Sequence, residues 1–162
     1  MKFLPNLLLL PFLLVACATG PRFETGGTDR AVTPKAAVAE QTINQGKTVI
    51  WGGVILNVAN LKDSTRLEIL AYPLDGNQEP QLDRTPLGRF ILGYAGYLDP
   101  ADYAEGRTIT VRATIGGTTE GRIGETSYTY PMVTSGQVYL WPRTTRQDRS
   151  NVSFGLGIGI GF

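Results

Sequence analysis

Histidine is absent from the 162-residue chain, which removes the commonest general base and the commonest imidazole metal ligand together. Cysteine is nearly absent too. Cys17 stands alone, so no disulfide closes within one chain and stability has to come from packing. Charge excess is also missing, with 15 Lys and Arg against 14 Asp and Glu. Without a basic run the chain has no field that steers nucleic acid and no patch that marks anionic lipid, so no nucleic-acid partner is expected. No Gly-x-Ser-x-Gly elbow, no glycine loop followed by Lys-Ser/Thr and no calcium-loop spacing of acids occurs. Asp99, Asp102 and Glu105 are the nearest thing to a carboxylate pair. Asp99 and Gly106 bracket a turn there, so a capping and solvation role suits them better than acid-base work. Neither a catalytic residue nor a metal site is expected, and the chain reads as a non-enzyme.

What is present begins with MKFLPNLLLLPFLLVAC. Lys2 gives a positive start, an apolar core follows, and small Ala16 precedes Cys17. Pro5, Asn6 and Pro11 interrupt the core, which is too short and too broken for a bilayer-spanning helix but has the layout of a secretory signal. Leu14-Val15-Ala16-Cys17 resembles the lipobox of bacterial lipoproteins, in which cleavage falls before the cysteine and its sulfur receives diacylglycerol. That resemblance implies cleavage between Ala16 and Cys17, lipidation of Cys17 and N-acylation of its new amino group, with no other cofactor. An ordinary cleaved signal with a chance cysteine is the alternative. The acyl chains matter because each buried methylene contributes about 0.8 kcal/mol, and a second chain already makes anchoring stable.

Four parts follow in order: a signal at 1–16, a lipidated start and flexible tether at 17–32, a domain at 33–142, and a polar linker with an apolar tail at 143–162. Thr33 can cap, Pro34 suits a first helical position and Gly46 can end the last turn, so a short helix leads the domain. Its face of Ala36, Val38, Ala39 and Ile43 is expected to lie on the body of the domain. From Lys47 the period becomes two. Residues 48–58 read as a long strand in which Gly52-Gly53 suggests a bulge or sharp coil. Residues 65–74 and 87–98 read as second and third strands, separated by a polar loop long enough to be mobile. One helical turn is expected at 99–106. In 107–115, Ile109, Val111, Ala113 and Ile115 alternate with Thr108, Thr110, Arg112 and Thr114, which makes the first set core. A glycine-rich turn at 116–125 then separates strands at 126–133 and 137–142.

Short strands divided by Gly/Pro turns, with a short helix between the third and fourth, define the expected fold class. It is all-β: a small closed β-barrel, OB-fold-like, of five to six antiparallel strands, with a β-sandwich as the alternative.

A family resemblance is carried by Trp51-Gly52-Gly53-Val54-Ile55 with Asn57 and Asn60, and by 65–75, 88–90, 97–111, 123–125, 128–133 and 140–142. Together with the lipobox these are similar to the Slp family of outer-membrane lipoproteins, named for induction on starvation or in stationary phase. The resemblance implies a lipid anchor in the outer membrane, handling by lipoprotein-processing and export machinery, and a role in envelope integrity under stress. It transfers no catalytic residue. Ala18 in place of Asp after the cysteine implies onward export.

Two other readings stay open. OB-type barrels bind oligonucleotides or oligosaccharides across one face with stacking aromatics, and Tyr94, Tyr97, Tyr128, Tyr130 and Arg112 are the candidates for such a face. A neutral envelope domain suits glycan or peptide rather than nucleic acid. Trp51 and Trp141 suit core or barrel-end packing instead. In the tail, Val152, Phe154, Leu156, Ile158, Ile160 and Phe162 alternate with Ser153 and glycines, the length of a tilted membrane strand. One strand cannot span alone, so the tail docks on its own domain, pairs with other copies in a structural oligomer, or rests in the membrane interface.

Overall fold

The computed structural model describes residues 23–143. Ala16, Cys17 and the strand expected at 151–162 lie outside the described residues. Two short helices, α1 (Pro34–Ala39) and α2 (Gln41–Asn44), precede five strands: β1 (Thr48–Asn60), β2 (Ser64–Tyr72), β3 (Gly88–Ala95), β4 (Thr108–Ile123) and β5 (Thr126–Leu140). The strands close into a barrel in the order β1-β2-β3-β5-β4.

The helical start forms as its residues dictate. The Thr33 hydroxyl accepts from the Ala36 N–H at 3.2 Å with Pro34 in the first turn, and Gly46 takes a left-handed φ of 81°. The buried face differs from expectation: Pro34, Ala37 and Asn44 are buried while Ala39 and Ile43 face outward. Asn44 turns inward because its side-chain amide donates to the Ala36 carbonyl at 3.2 Å and its oxygen accepts from the Lys47 ammonium at 3.0 Å.

Barrel closure requires one departure from antiparallel pairing. Four pairs are antiparallel, and β3 meets β5 in parallel through Ile91–Met132 to Tyr94–Ser135. A ring of five strands cannot alternate direction all the way round, so one parallel seam is a matter of parity. The short helix expected between the third and fourth strands is instead a set of turns. Asp99 accepts from the Ala101 N–H through its carboxylate at 2.9 Å and from the Tyr103 N–H through its carbonyl at 2.9 Å. Left-handed Gly106, with φ 82°, then turns the chain into β4, leaving no room for a second helical turn.

The glycine-rich stretch at 116–125 is strand for most of its length. Gly116 and Gly117 coincide with a register shift, where Gly117 adopts φ 145°. A bulge bends β4 without ending it, and the turn comes only at Gly124-Glu125. The two last expected strands merge for the same reason into β5. Gly52-Gly53 behaves differently from the bulge expected there. The register shift of β1 falls between Ile55 and Asn57, and the glycines mark the close approach of β2 and β4 on either side.

Inward residues of all five strands build the core. Val49, Ile55, Leu67, Phe90, Leu92 and Val111 have no exposed surface, as the alternation in β4 and β2 predicts. Trp51 points inward and meets Phe90 edge-on at 5.2 Å, and its indole N–H donates to the Val32 carbonyl at 2.8 Å. Trp51→Phe keeps the ring but orphans that buried carbonyl, so a loss of about 1–3 kcal/mol is expected in urea unfolding.

Candidate functional site

Two parts of the outer surface have more structure than a solvated face requires. The first lies on the β2–β3 side. Arg66 and Glu68 on β2, and Arg89 and Ile91 on β3, project outward because Leu67, Ile69, Phe90 and Leu92 take the core positions between them. The distal part of the β4–β5 hairpin curls beside them, so Thr119 to Arg122, Tyr130 and Met132 face Arg66, Glu68 and Ile91 across a cleft of about 240 Å³.

Its floor is a hydrogen-bonded cluster. Arg89 and Glu68 form an ion pair at 2.7 Å, and the Tyr130 hydroxyl donates to the same carboxylate oxygen at 3.2 Å. Burial raises the Tyr130 phenol above its ordinary pKa, and the Glu68 charge adds to this. Burial also disfavours the Arg89 charge, but the Glu68 hydrogen bond and charge outweigh it and raise the guanidinium pKa. Glu68 is satisfied, so the floor is rigid and uncharged overall. The rim is different. Among the described residues Arg66 and Arg122 have no carboxylate partner, and Arg122 bonds only the Glu125 carbonyl of its own turn at 2.9 Å. Glu120 lines the cleft too, its carboxylate accepting from the Thr129 hydroxyl at 2.8 Å, so the rim sets two guanidiniums against one carboxylate. With Ile91 and Met132 on its walls the cleft suits an anionic ligand with an apolar body.

The second part is the arm at 23–31, within the stretch expected to be a flexible tether, which lies along the outer face of β1 and β4 before Val32 enters the core. The Gln78 amide pairs with the Phe23 backbone in both directions, accepting from its N–H and donating to its carbonyl, each at 3.0 Å. Arg112 Nε donates to the Glu24 carbonyl at 3.2 Å, Thr28 bridges Thr48 and Lys47 meets Asp29 at 3.1 Å. The loop expected to be mobile is held as well: Leu74 bridges Pro80 and the Thr110 hydroxyl donates to the Gln78 carbonyl at 2.7 Å.

The hydrogen bond from Lys47, with help from the Ala31 N–H, holds the Asp29 carboxyl below the usual aspartate range. A depressed folded-state value means that this contact contributes fully above the unfolded pKa and is lost as pH falls through the folded one. Carboxyl NMR is expected to give Asp29 a midpoint below its ordinary value in the wild type and a return toward it in Lys47→Met.

The five candidate residues for a ligand face do not share one. Tyr130 lines the cleft, while the hydroxyl of Tyr128 accepts from the Arg89 N–H at 3.0 Å. Tyr94 packs against the core, Tyr97 is 69% exposed at the end of β3, and Arg112 holds the arm. Tyr128 and Tyr130 do meet, edge-on at 4.6 Å. The others fall apart because Tyr94 shares the inward alternation of Phe90 and Leu92, Tyr97 lies beyond the end of β3 at Ala95, and Arg112 faces the arm from β4. Sequence reasoning missed Arg66, Glu68, Arg89 and Arg122; the period-two pattern of β2 was a usable signal for the first two. It also missed Gln78, whose partner is 55 residues away. Trp141 is buried and its indole N–H donates to the Thr110 hydroxyl at 2.9 Å, a packing role. Asp99, Asp102 and Glu105 are all exposed around their turn.

The fold defines a small β-barrel with a fastened N-terminal arm, and the sequence of the chain places it in a family. The model of the outer membrane lipoprotein Slp family matches residues 14–156. The chain belongs to this family and is an outer-membrane lipoprotein. It is similar to outer membrane protein Slp of Escherichia coli (strain K12), 31% identical over 138 residues, 83% of this chain and 72% of that one. It is also similar to an uncharacterized protein of Haemophilus influenzae (strain ATCC 51907 / DSM 11121 / KW20 / Rd), 35% identical over 103 residues, 63% of this chain and 56% of that one. The uncharacterized lipoprotein YeaY of E. coli K12 is 38% identical over 85 residues, 52% of this chain and 44% of that one. The chain thus spans little more than half of the Haemophilus protein's length.

Proposed function

We propose that Cys17 is the acylated first residue of the mature protein, that the barrel stands in the periplasm, and that it supports envelope integrity under stress or starvation without catalysis. The observation that carries this is the family match, which begins at residue 14 and so takes in Ala16 and Cys17 together with the whole barrel. The absence of histidine and of a second thiol agrees with a non-catalytic role. Deleting the gene in its host and starving the cells is expected to raise entry of a large antibiotic normally held out by the outer membrane. Wild-type protein restores the barrier and Cys17→Ala does not. Equal entry with and without the gene refutes the integrity role.

The cleft favours a second reading, a glycan- or peptide-binding module. Its ligand is an envelope fragment bearing a carboxylate or phosphate, gripped by Arg66 and Arg122 over the Tyr130–Glu68–Arg89 floor. A hydrogen bond to a charged group contributes about 1.5–3 kcal/mol, so Arg66→Ala with Arg122→Ala is expected to weaken muropeptide binding at least about tenfold. Shifts in the NMR spectrum on titration measure it, and unchanged affinity in the double variant removes the cleft from consideration.

A further inference from the structure

The arm and the end of the barrel are fastened at the same place. Gln78 clamps the Phe23 backbone through its side chain, and its own carbonyl accepts from Thr110. The Thr110 hydroxyl in turn accepts from the Trp141 indole, two residues before the end of the described chain. Gln78 is also the one non-glycine at positive φ among the described residues, at 67°, a backbone that L side chains rarely adopt. A strained residue whose amide pairs both ways with a segment far off in sequence is placed for that segment. Both ends of the barrel domain therefore leave from the outer face of β1 and β4, which in the order β1-β2-β3-β5-β4 lies across the barrel from β3.

Length then limits orientation. Six peptide steps separate Cys17 from Phe23, a reach of at most about 20 Å even when fully extended. If Cys17 holds lipid, Phe23 stays within that distance of the bilayer surface. Turning β3 to the bilayer would lead the same six steps round half the girth of the barrel, over its side chains, and leave no slack. Charge does not choose the face: Arg30 and Arg84 stand among Glu24, Asp29, Asp75, Glu79 and Asp83 on the arm and on the loop after β2, and Arg107 and Arg143 share their cleft with Glu105, so the short tether alone brings this side to the lipid.

We propose that the outer face of β1 and β4 is the membrane-facing surface of this protein, held against the lipid by the Gln78 clamp. The cleft on the β2–β3 side is thereby turned away from the lipid. This rests on acylation of Cys17, and the partner is the lipid surface itself.

The test uses the full acylated chain in phosphatidylethanolamine and phosphatidylglycerol vesicles carrying a headgroup nitroxide. Cys17 is the one native cysteine, so a thiol introduced by Asn77→Cys beside the clamp, or by Ala95→Cys at exposed β3, can be labelled with a fluorophore selectively. Quenching is expected to be severalfold stronger at position 77 than at 95. Adding Gln78→Gly, which removes the clamp while easing the left-handed backbone, is expected to level the two. Phe23→Pro removes the clamped N–H without touching the barrel and is expected to do the same. Equal quenching at both positions in the otherwise wild-type chain, or stronger quenching at 95, overturns the orientation while leaving the anchor intact. An unmodified Cys17 by intact mass, with no vesicle binding, overturns both.

Discussion

Gly53→Ala is expected to unfold the barrel or to destabilise it at the upper end of the about 1–3 kcal/mol typical of overpacking, or beyond. A Cβ at this position would run into the carbonyl oxygen of Leu70 and crowd the Ala71 backbone. Neither obstacle is a flexible side-chain tip. Gly53 sits in register between Ala71 of β2 and Ile109 of β4, so relief would have to part β1 from β2 at the centre of the sheet. Gly52 is crowded by softer groups, the Thr110 hydroxyl at 2.7 Å and Pro80 Cγ at 2.9 Å, as well as by the Ile109 carbonyl at 2.8 Å. Gly52→Ala should therefore cost less. Urea unfolding of the mature chain with Cys17→Ser orders the two, and a Gly53→Ala midpoint equal to wild type would show that the β1–β2 approach is looser than described.

Phe90→Ala carries the next largest effect, a loss of about 3–5 kcal/mol, the range for removing a buried aromatic ring. Phe90 is fully buried on β3 and its ring meets Trp51 edge-on. The cavity left behind opens beside the indole, so Trp51 emission should shift to the red along with the fall in urea midpoint. Phe90→Leu, which refills most of the volume, should recover much of the stability. Wild-type stability in Phe90→Ala would mean that the barrel collapses around the gap, contrary to a core held by strand pairing on every side.

Much of the barrel was legible because β2 and β4 alternate cleanly. Leu67, Ile69, Ile109, Val111 and Ala113 are all core, as period two predicts. Thr33-Pro34 announced the helix for an equally local reason, a hydroxyl cap and a preset φ. Where glycine appeared, the sequence was ambiguous. At 116–117 it marks a bend within a strand and at 52–53 a close approach, and glycine in sequence does not separate these from a turn. The parallel β3–β5 seam follows from ring parity, which is visible only once the number of strands is known. The cleft depends on how far the β4–β5 hairpin curls, and the Gln78 clamp joins residues 55 apart. Long-range geometry of this kind leaves no periodic trace, which is why a single tyrosine face was expected and two separate surfaces were found.

The central claim is that this domain is held at the outer membrane through lipid on Cys17. Intact-mass analysis of separated inner and outer membranes, for wild type and Cys17→Ala, tests it most directly. The expected result is wild-type protein in the outer membrane, cleaved after Ala16 and carrying acyl chains on Cys17, with the variant unprocessed or released as soluble protein. Wild-type protein recovered from the periplasm with a free Cys17 thiol would contradict the account.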